Sequence, residues 1–175
     1  MSEIVLVTGG ARSGKSRVAL DMAEKVEAGT RIFIATCVPM DQEMRDRVAR
    51  HRTERGRYWT TLEVPVLLPE AIKQHAGHGT VVLVDCLTLW INNLLANGDT
   101  ETEVAGRTQQ LAGALDQAEG DVILVSNEVG CGIVPENRLA RLFRDLAGFV
   151  NQAVAAQADR VVWMVSGLPV TVKDP

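Results

Sequence analysis

The sequence has no hydrophobic run close to the roughly 20 residues that a membrane-spanning helix needs. It also lacks the basic start of a signal peptide, and its first apolar run is about five residues long. Its three cysteines are odd in number and have no metal-type spacing, which predicts free thiols in a reducing compartment. The net charge of −4 does not favour a nucleic-acid or anionic-membrane partner. We therefore expect a cytoplasmic protein with no membrane span and no nucleic-acid partner.

No internal repeat, low-complexity tract or linker interrupts the 175 residues, so we expect one domain over residues 1–175. Apolar β-branched runs alternate with segments whose apolar residues recur at helical spacing. Near-continuous apolar runs are typical of strands buried on both faces of a parallel sheet. The predicted strands are 4–8, 31–36, 80–85, 121–126 and 160–165, with a hairpin edge strand at 170–172; the predicted helices are 17–26, 71–76, 87–95, 101–118 and 137–156. The sequence thus predicts an α/β fold with a mostly parallel central sheet flanked by helices.

A glycine-rich loop follows the first predicted strand and matches the phosphate-loop pattern G-x-x-x-x-G-K-[ST]. Its residues are Gly9, Gly10, Ala11, Arg12, Ser13, Gly14, Lys15 and Ser16. Glycines let the backbone curl so that N–H groups converge on phosphate oxygens, and the following helix adds its positive end. Lys15 can reach the β- and γ-phosphates, and Ser16 can offer its hydroxyl to Mg²⁺. A simple strand-to-helix turn is the alternative, and the complete pattern in strand–loop–helix context favours a nucleotide-phosphate site.

Polar residues end two of the later predicted strands. Asp85 closes the apolar strand 80–85, where phosphate-loop proteins place a carboxylate that holds Mg²⁺ directly or through water. Many strands end in Asp, so this signal depends on the phosphate loop. Asn127 and Glu128 follow strand 121–126, at the edge of an open α/β sheet where ligands bind. A polar start to a loop is the alternative for these two.

The segment 39–57 is predicted to form a helix that Pro39 can start, and it is locally basic inside an acidic protein. Its apolar stripe ends at His51, and its other faces carry six arginines opposite four acidic residues. This composition suggests an anionic ligand nearby, whereas a solvated helix face with i,i+4 ion pairs explains the same charges. Composition alone slightly favours the solvated face.

Several stretches together resemble the bifunctional adenosylcobinamide kinase/adenosylcobinamide-phosphate guanylyltransferases of cobalamin biosynthesis. The resemblance extends along the whole chain. It is most specific in the G-I-V-P-E-N-R stretch at 132–138 and in the position of the histidine at residue 51. At position 50 this chain has arginine where some members carry a second histidine. The matching stretches are 9–16, 34–36, 41–44 with Arg47, 51–52, 59–63, 126–130, 132–138, 143–152 and 165–167.

The resemblance implies two reactions. A nucleoside triphosphate (ATP or GTP) first phosphorylates the aminopropanol hydroxyl of adenosylcobinamide. GTP then transfers GMP to an enzyme histidine, which His51 matches, and the corrinoid phosphate takes the GMP to give adenosylcobinamide-GDP. It implies Mg²⁺, a RecA-like phosphate-loop fold and a homotrimer. Beyond the phosphate loop, the nucleotide contacts that it implies are Ile34, Ala35, Thr36, Arg52, Thr53, Glu54, Arg55, Glu63 and Asp85.

The residues themselves leave two other functions open. One is a phosphate-loop kinase for a small molecule of another pathway, which would transfer a γ-phosphate and form no covalent nucleotide. The other is a non-catalytic, nucleotide-dependent binding module, which would bind GTP and a partner without turnover.

Overall fold

The computed structural model describes residues 2–39, 56 and 58–174. Seven strands form one sheet in the order β3-β2-β4-β5-β1-β6-β7. Neighbouring strands from β3 to β6 pair in parallel, and β7 pairs antiparallel with β6. The predicted α/β fold, including the edge hairpin, is confirmed. The strands are β1 (Ile4–Gly9), β2 (Thr30–Ala35), β3 (Trp59–Glu63), β4 (Thr80–Asp85), β5 (Asp121–Val125), β6 (Arg160–Val165) and β7 (Leu168–Lys173).

Five helices are described: α1 (Lys15–Lys25), α2 (Leu68–His75), α3 (Leu87–Ala96), α4 (Glu101–Asp116) and α5 (Arg138–Gln157). Helix α2 begins three residues earlier than the sequence predicts, because Pro69 occupies its first turn, where a missing N–H costs no hydrogen bond. Helix α4 begins at a capping box in which the Thr100 and Glu103 side chains each bond the other's backbone N–H. None of these described helices has the length and apolar character to cross a bilayer.

The two faces of the sheet are both covered. On one face, α1 buries a cluster that contains Val5, Val7 and Leu83. On the other face, α2 to α5 bury a larger cluster that contains Leu6, Val84 and Trp90. Because alternate strand residues enter opposite clusters, every residue in the middle of these strands is apolar. This explains the continuous hydrophobic runs in the sequence.

A two-residue turn joins β6 to β7. Ser166 and Gly167 both have positive φ, 51° and 87°, as a type I′ hairpin turn requires. The strand that follows is exposed at every position and carries Leu168, Val170 and Val172. The hairpin therefore presents an apolar edge to solvent.

Candidate active site at the carboxyl edge of the sheet

The carboxyl ends of five parallel strands lie in one row. In register, Glu63 pairs with Ala35, Ala35 with Asp85, Asp85 with Val125, and Val125 with Val7. The phosphate loop leaves β1 just beyond Val7. The residues that the sequence predicts at strand ends and the predicted phosphate loop are therefore brought to the same edge.

The phosphate loop is held in a tight curl. Gly9 has a φ of 149°, and a Cβ at this position would lie 2.6 Å from the carbonyl oxygen of Met164. Gly14 caps α1 with a φ of 90°, so the helix begins directly at Lys15. Lys15 is 7% exposed, and its Nζ donates to the Gly10 carbonyl at 2.6 Å. The loop thus carries its ammonium and the N-terminus of α1 together, which is the arrangement that favours anions.

The loop also contains a hydroxyl that needs a partner. Within the part of the chain that the structure describes, the Ser13 Oγ is buried and makes no hydrogen bond. Leaving such a donor unpaired costs about 1–3 kcal/mol. A phosphate oxygen seated in the loop is the kind of acceptor that would satisfy it.

Asp85 lies half-buried at the end of β4, and the backbone around it is fixed by Thr36. The Thr36 hydroxyl donates to the Cys86 carbonyl at 2.7 Å and accepts from the Cys86 N–H at 2.8 Å. The peptide bond between Asp85 and Cys86 is cis. Burial, with a smaller contribution from the Asp85 carboxylate, raises the pKa of the Cys86 thiol to about 11. Cys86 is therefore a neutral neighbour of the carboxylate at physiological pH.

Glu128 ties the segment after β5 to the phosphate loop. Its N–H donates to the Gly9 carbonyl at 2.9 Å, and its Oε1 accepts from the Gly130 N–H at 2.8 Å. On the other side of the loop, a Cβ at Gly14 would lie 3.9 Å from the Gly167 Cα, so the hairpin turn borders the loop too. Two segments thus form walls beside the phosphate loop.

The side chains of the remaining predicted nucleotide contacts differ in solvent exposure. The Ala11 and Arg12 side chains in the loop are exposed, whereas Ile34 and Thr36 are fully buried, so any contact of these two with a nucleotide has to use the backbone. Glu63 is exposed and lines a groove between β3 and α2. The predicted helix that carries His51, Arg52, Thr53, Glu54 and Arg55 lies outside the described residues.

Comparison with known proteins identifies the family. The family described as cobinamide kinase / cobinamide phosphate guanyltransferase matches residues 5–172. The chain belongs to this family. It is 44% identical to the bifunctional adenosylcobalamin biosynthesis protein CobP of Pseudomonas aeruginosa, over 96% of both chains. It is 41% identical to CobU of Escherichia coli, over 97% of this chain and 99% of that protein.

Solved structures confirm the fold class of this family member. An ATPase from the type III secretion system of pathogenic bacteria superposes with a TM-score of 0.59 at 12% identity, covering 94% of this chain and 52% of that one. In the sheet, β5 separates the phosphate-loop strand β1 from β4. Membership of a kinase and guanyltransferase family with this fold means that the chain binds nucleotides.

A polar network that the sequence does not predict lies behind this site. Ser126 Oγ donates to Asn151 Oδ1 at 2.5 Å, and Asn151 Nδ2 donates to the Asn127 carbonyl at 3.2 Å. The Asn127 amide in turn donates to Thr88 Oγ1 at 2.7 Å, which lies 3.1 Å from Cys86 Sγ. This chain of contacts joins α5, the end of β5 and the start of α3. No sequence pattern announces it, because its members lie far apart along the chain.

Proposed function

We propose that this chain catalyses both reactions of its family: phosphorylation of cobinamide by a nucleoside triphosphate, and transfer of GMP from GTP to the resulting cobinamide phosphate. The observation that carries the proposal is the complete phosphate loop at the carboxyl edge, in a chain that matches the family from residue 5 to residue 172. An α/β sheet binds its ligands at this edge.

In the kinase step, the phosphate loop orients the triphosphate. Backbone N–H groups of the phosphate loop and the N-terminus of α1 bind the phosphates, and Lys15 leaves the Gly10 carbonyl to neutralise charge on the β- and γ-phosphates. The corrinoid hydroxyl attacks the γ-phosphorus, its proton passes to solvent water, and the bond to the nucleoside diphosphate breaks. Catalysis in this step is chiefly orientation and charge stabilisation.

In the guanylyl step, we propose His51 as the nucleophile. A neutral imidazole nitrogen attacks the α-phosphorus of GTP and the bond to pyrophosphate breaks, which leaves GMP on the histidine. An oxygen of cobinamide phosphate then attacks the same phosphorus and releases the imidazole. Arg52 and Arg55 lie close to His51 in sequence and supply positive charge for the phosphates in both transfers.

The described residues fit a Mg²⁺ site that nucleotide phosphates complete. A serine hydroxyl and a carboxylate are the hard oxygen ligands that Mg²⁺ prefers, and Ser16 and Asp85 are both half-buried at this edge. Within the described ranges no group of three or more His, Cys, Asp or Glu forms a metal cage. When bound, Mg²⁺ would neutralise charge on the transferring phosphates.

We propose that the nucleotide extends along the edge toward Glu63. Four strand spacings separate β3 from β1, which is about 19 Å at about 4.8 Å per strand. Glu63 therefore cannot share a phosphate with Lys15, and its carboxylate suits the guanine or ribose end of the ligand. Ala35 and Asp85 lie between the two along this row.

We further propose that residues 1–175 act as one domain in a cytoplasmic homotrimer. The resemblance to the family supports the trimer, and the apolar β6–β7 hairpin supplies a surface that a subunit contact would cover. Large side chains exposed there are Trp163, Val165, Leu168, Val170 and Val172. Light scattering on the purified protein measures the number of subunits.

Intact mass spectrometry tests the covalent step. After incubation with GTP and Mg²⁺, we expect a protein heavier by one GMP, and acid should release the label from a phosphoramidate. The His51→Ala variant should not label, while the matched variant His78→Ala should label fully, because His78 lies on the surface beside Glu119. Equal labelling of His51→Ala and the wild type would refute the nucleophile assignment. A γ-phosphate transfer without any label would instead indicate a simple kinase.

A second pair of variants tests the phosphate loop. Lys15→Ala should lose GTP binding in calorimetry while keeping its circular dichroism spectrum. Lys25→Ala removes an exposed lysine at the other end of the same helix and should leave GTP affinity unchanged. Unchanged GTP affinity in Lys15→Ala would contradict the loop assignment.

A further inference from the structure

A loop between β5 and α5 exposes apolar side chains beside the phosphate loop. We name residues 130–136 the apolar loop; Ile133 in it is 96% exposed and Val134 is 61% exposed. Exposed neighbouring apolar residues of this kind mark contact surfaces. We propose that the apolar loop and the first turn of α5 bind the corrin macrocycle of cobinamide. This inference rests on the proposed function and assigns the place of its second substrate.

Two arginines of α5 fix the apolar loop in place. Arg144 donates to the Gly130 carbonyl at 2.6 Å, at the beginning of the loop. Arg141 donates to the carbonyls of Pro135 and Glu136 at 3.0 and 2.6 Å, at its end. Both guanidinium groups therefore hold the backbone of the loop. A loop that is already ordered loses less conformational entropy when a ligand binds to it.

The apolar loop starts close to the phosphate loop. Glu128 bonds the Gly9 carbonyl through its N–H and the Gly130 N–H through its carboxylate. Ile133 lies three positions after Gly130 in the chain, so their Cα atoms lie within about 11 Å of each other. A macrocycle resting on Ile133 can therefore direct its aminopropanol side chain, which carries the reacting hydroxyl, toward the γ-phosphate.

An uncharged groove continues from the apolar loop between α3 and the start of α5. The Asn93 amide donates to the carbonyls of Thr36 and Pro65 at 2.7 and 3.0 Å, so this part of α3 lies across the carboxyl edge. The residues that line the groove are Asn92, Leu95, Ala96, Asn137, Leu139, Ala140 and Phe143.

The uncharged lining of this groove suits the corrinoid better than the nucleotide. None of its seven lining side chains is charged, whereas a triphosphate requires cations and N–H groups. Cobinamide is a broad macrocycle with apolar faces and primary amides around its rim. Leu139 and Phe143 offer apolar surface, while Asn92 and Asn137 offer amides that can pair with the rim.

Calorimetric titration with cobinamide tests the inference on the full chain. Ile133→Ser should raise the Kd for cobinamide about tenfold or more, because a large apolar side chain no longer covers the macrocycle. Val134→Ser should act in the same direction. Phe149→Ser is the matched control, since Phe149 is 59% exposed on the same helix but 11 residues beyond its start, or about 16 Å along the axis. It should leave the Kd unchanged.

The apolar-loop variants should also keep GTP affinity, GMP labelling and molar mass at wild-type values. A cobinamide Kd within twofold of the wild type in both variants would refute the inference, and so would a change of molar mass, which would identify the loop as a subunit contact. A different result would refute the proposed function: a wild-type protein that neither phosphorylates cobinamide nor forms the GMP adduct. Because the titration measures binding without turnover, it tests the corrinoid site whether or not the wild-type protein is active.

Discussion

Replacing Gly9 by alanine is the sharpest test of how the phosphate loop is built. The new Cβ would lie 2.6 Å from the Met164 carbonyl oxygen, and 3.0 Å from both the Met164 Cβ and the Ser13 Oγ. Two of these three atoms belong to β6 and cannot move without shifting the sheet. The φ of 149° adds to the problem, because L-residues rarely adopt this conformation.

The two effects can be combined into an expected loss of stability. Overpacking typically costs about 1–3 kcal/mol, and a residue held in a glycine-only backbone region costs about 1–3 kcal/mol. Together they lower the free energy of unfolding by about 2–6 kcal/mol. In a domain of this size each kcal/mol shifts the Tm by about 2–4 °C, so the expected decrease is about 4–24 °C.

Thermal unfolding of Gly9→Ala beside Gly10→Ala provides the measurement and its control. Gly10 is exposed, its φ is not positive, and a Cβ there would meet no atom within 4 Å. Gly10→Ala should keep the Tm or raise it slightly, because alanine reduces the entropy of the unfolded chain. Gly9→Ala should also weaken GTP binding, since the loop starts at this residue. A Gly9→Ala protein that melts within 2 °C of the wild type and binds GTP normally would refute the steric reasoning.

Three further predictions concern the rest of the molecule. Asn151→Leu removes both hydrogen bonds that tie α5 to the end of β5, so we expect denaturant titration to show a free energy of unfolding lower by about 1–3 kcal/mol. Steady-state kinetics should show that kcat falls more than the affinity for GTP. In the native protein, N-ethylmaleimide should modify the exposed Cys131 and spare Cys86 up to about pH 9, because burial raises the pKa of Cys86; peptide mapping would report modification of Cys86 if this is wrong. Thr100→Ala should lower the Tm by a few degrees at pH 7, because the helix loses its cap. The difference should shrink as acid protonates Glu103, whose pKa is held below its usual value by the hydrogen bonds that the Thr100 N–H and hydroxyl donate to its carboxylate.

The spacing of apolar residues and the positions of glycine and proline were sufficient to predict most of the helices and strands. The central strands are apolar on both faces because both faces are covered, and this burial is what a continuous run in the sequence records. The hairpin edge strand was predicted at 170–172, and the structure extends it to Leu168–Lys173. The positive φ of Ser166 was not predictable, since serine has no marked preference for that conformation. Strand order could not be read from the sequence, because local patterns carry no information about which strands lie side by side.

The candidate site was predictable where a local motif defines it, and otherwise was not. The phosphate loop is contiguous, so its eight residues were identifiable directly. Thr36 was expected to contact the nucleotide, yet its hydroxyl is committed to the Cys86 backbone. Such a role depends on the pairing of β2 with β4, which brings residues 50 positions apart into contact. For the same reason, the contacts of Asn151 with the end of β5 gave no signal in the sequence.

The two reactions place the reacting group of the corrinoid at different phosphorus atoms, so either the corrinoid or the groups around it must move between the steps. The kinase step needs a corrinoid hydroxyl at the γ-phosphorus, whereas the guanylyl step needs a corrinoid phosphate at the α-phosphorus of GMP on His51. If the macrocycle stays on the apolar loop throughout, the nucleotide or the His51 segment has to move between steps. Ile133→Ser should then raise the Kd for cobinamide and for cobinamide phosphate by the same factor, because the macrocycle makes the same contacts in both complexes. A tenfold effect on cobinamide with none on cobinamide phosphate would show instead that the corrinoid itself moves between the two reactions.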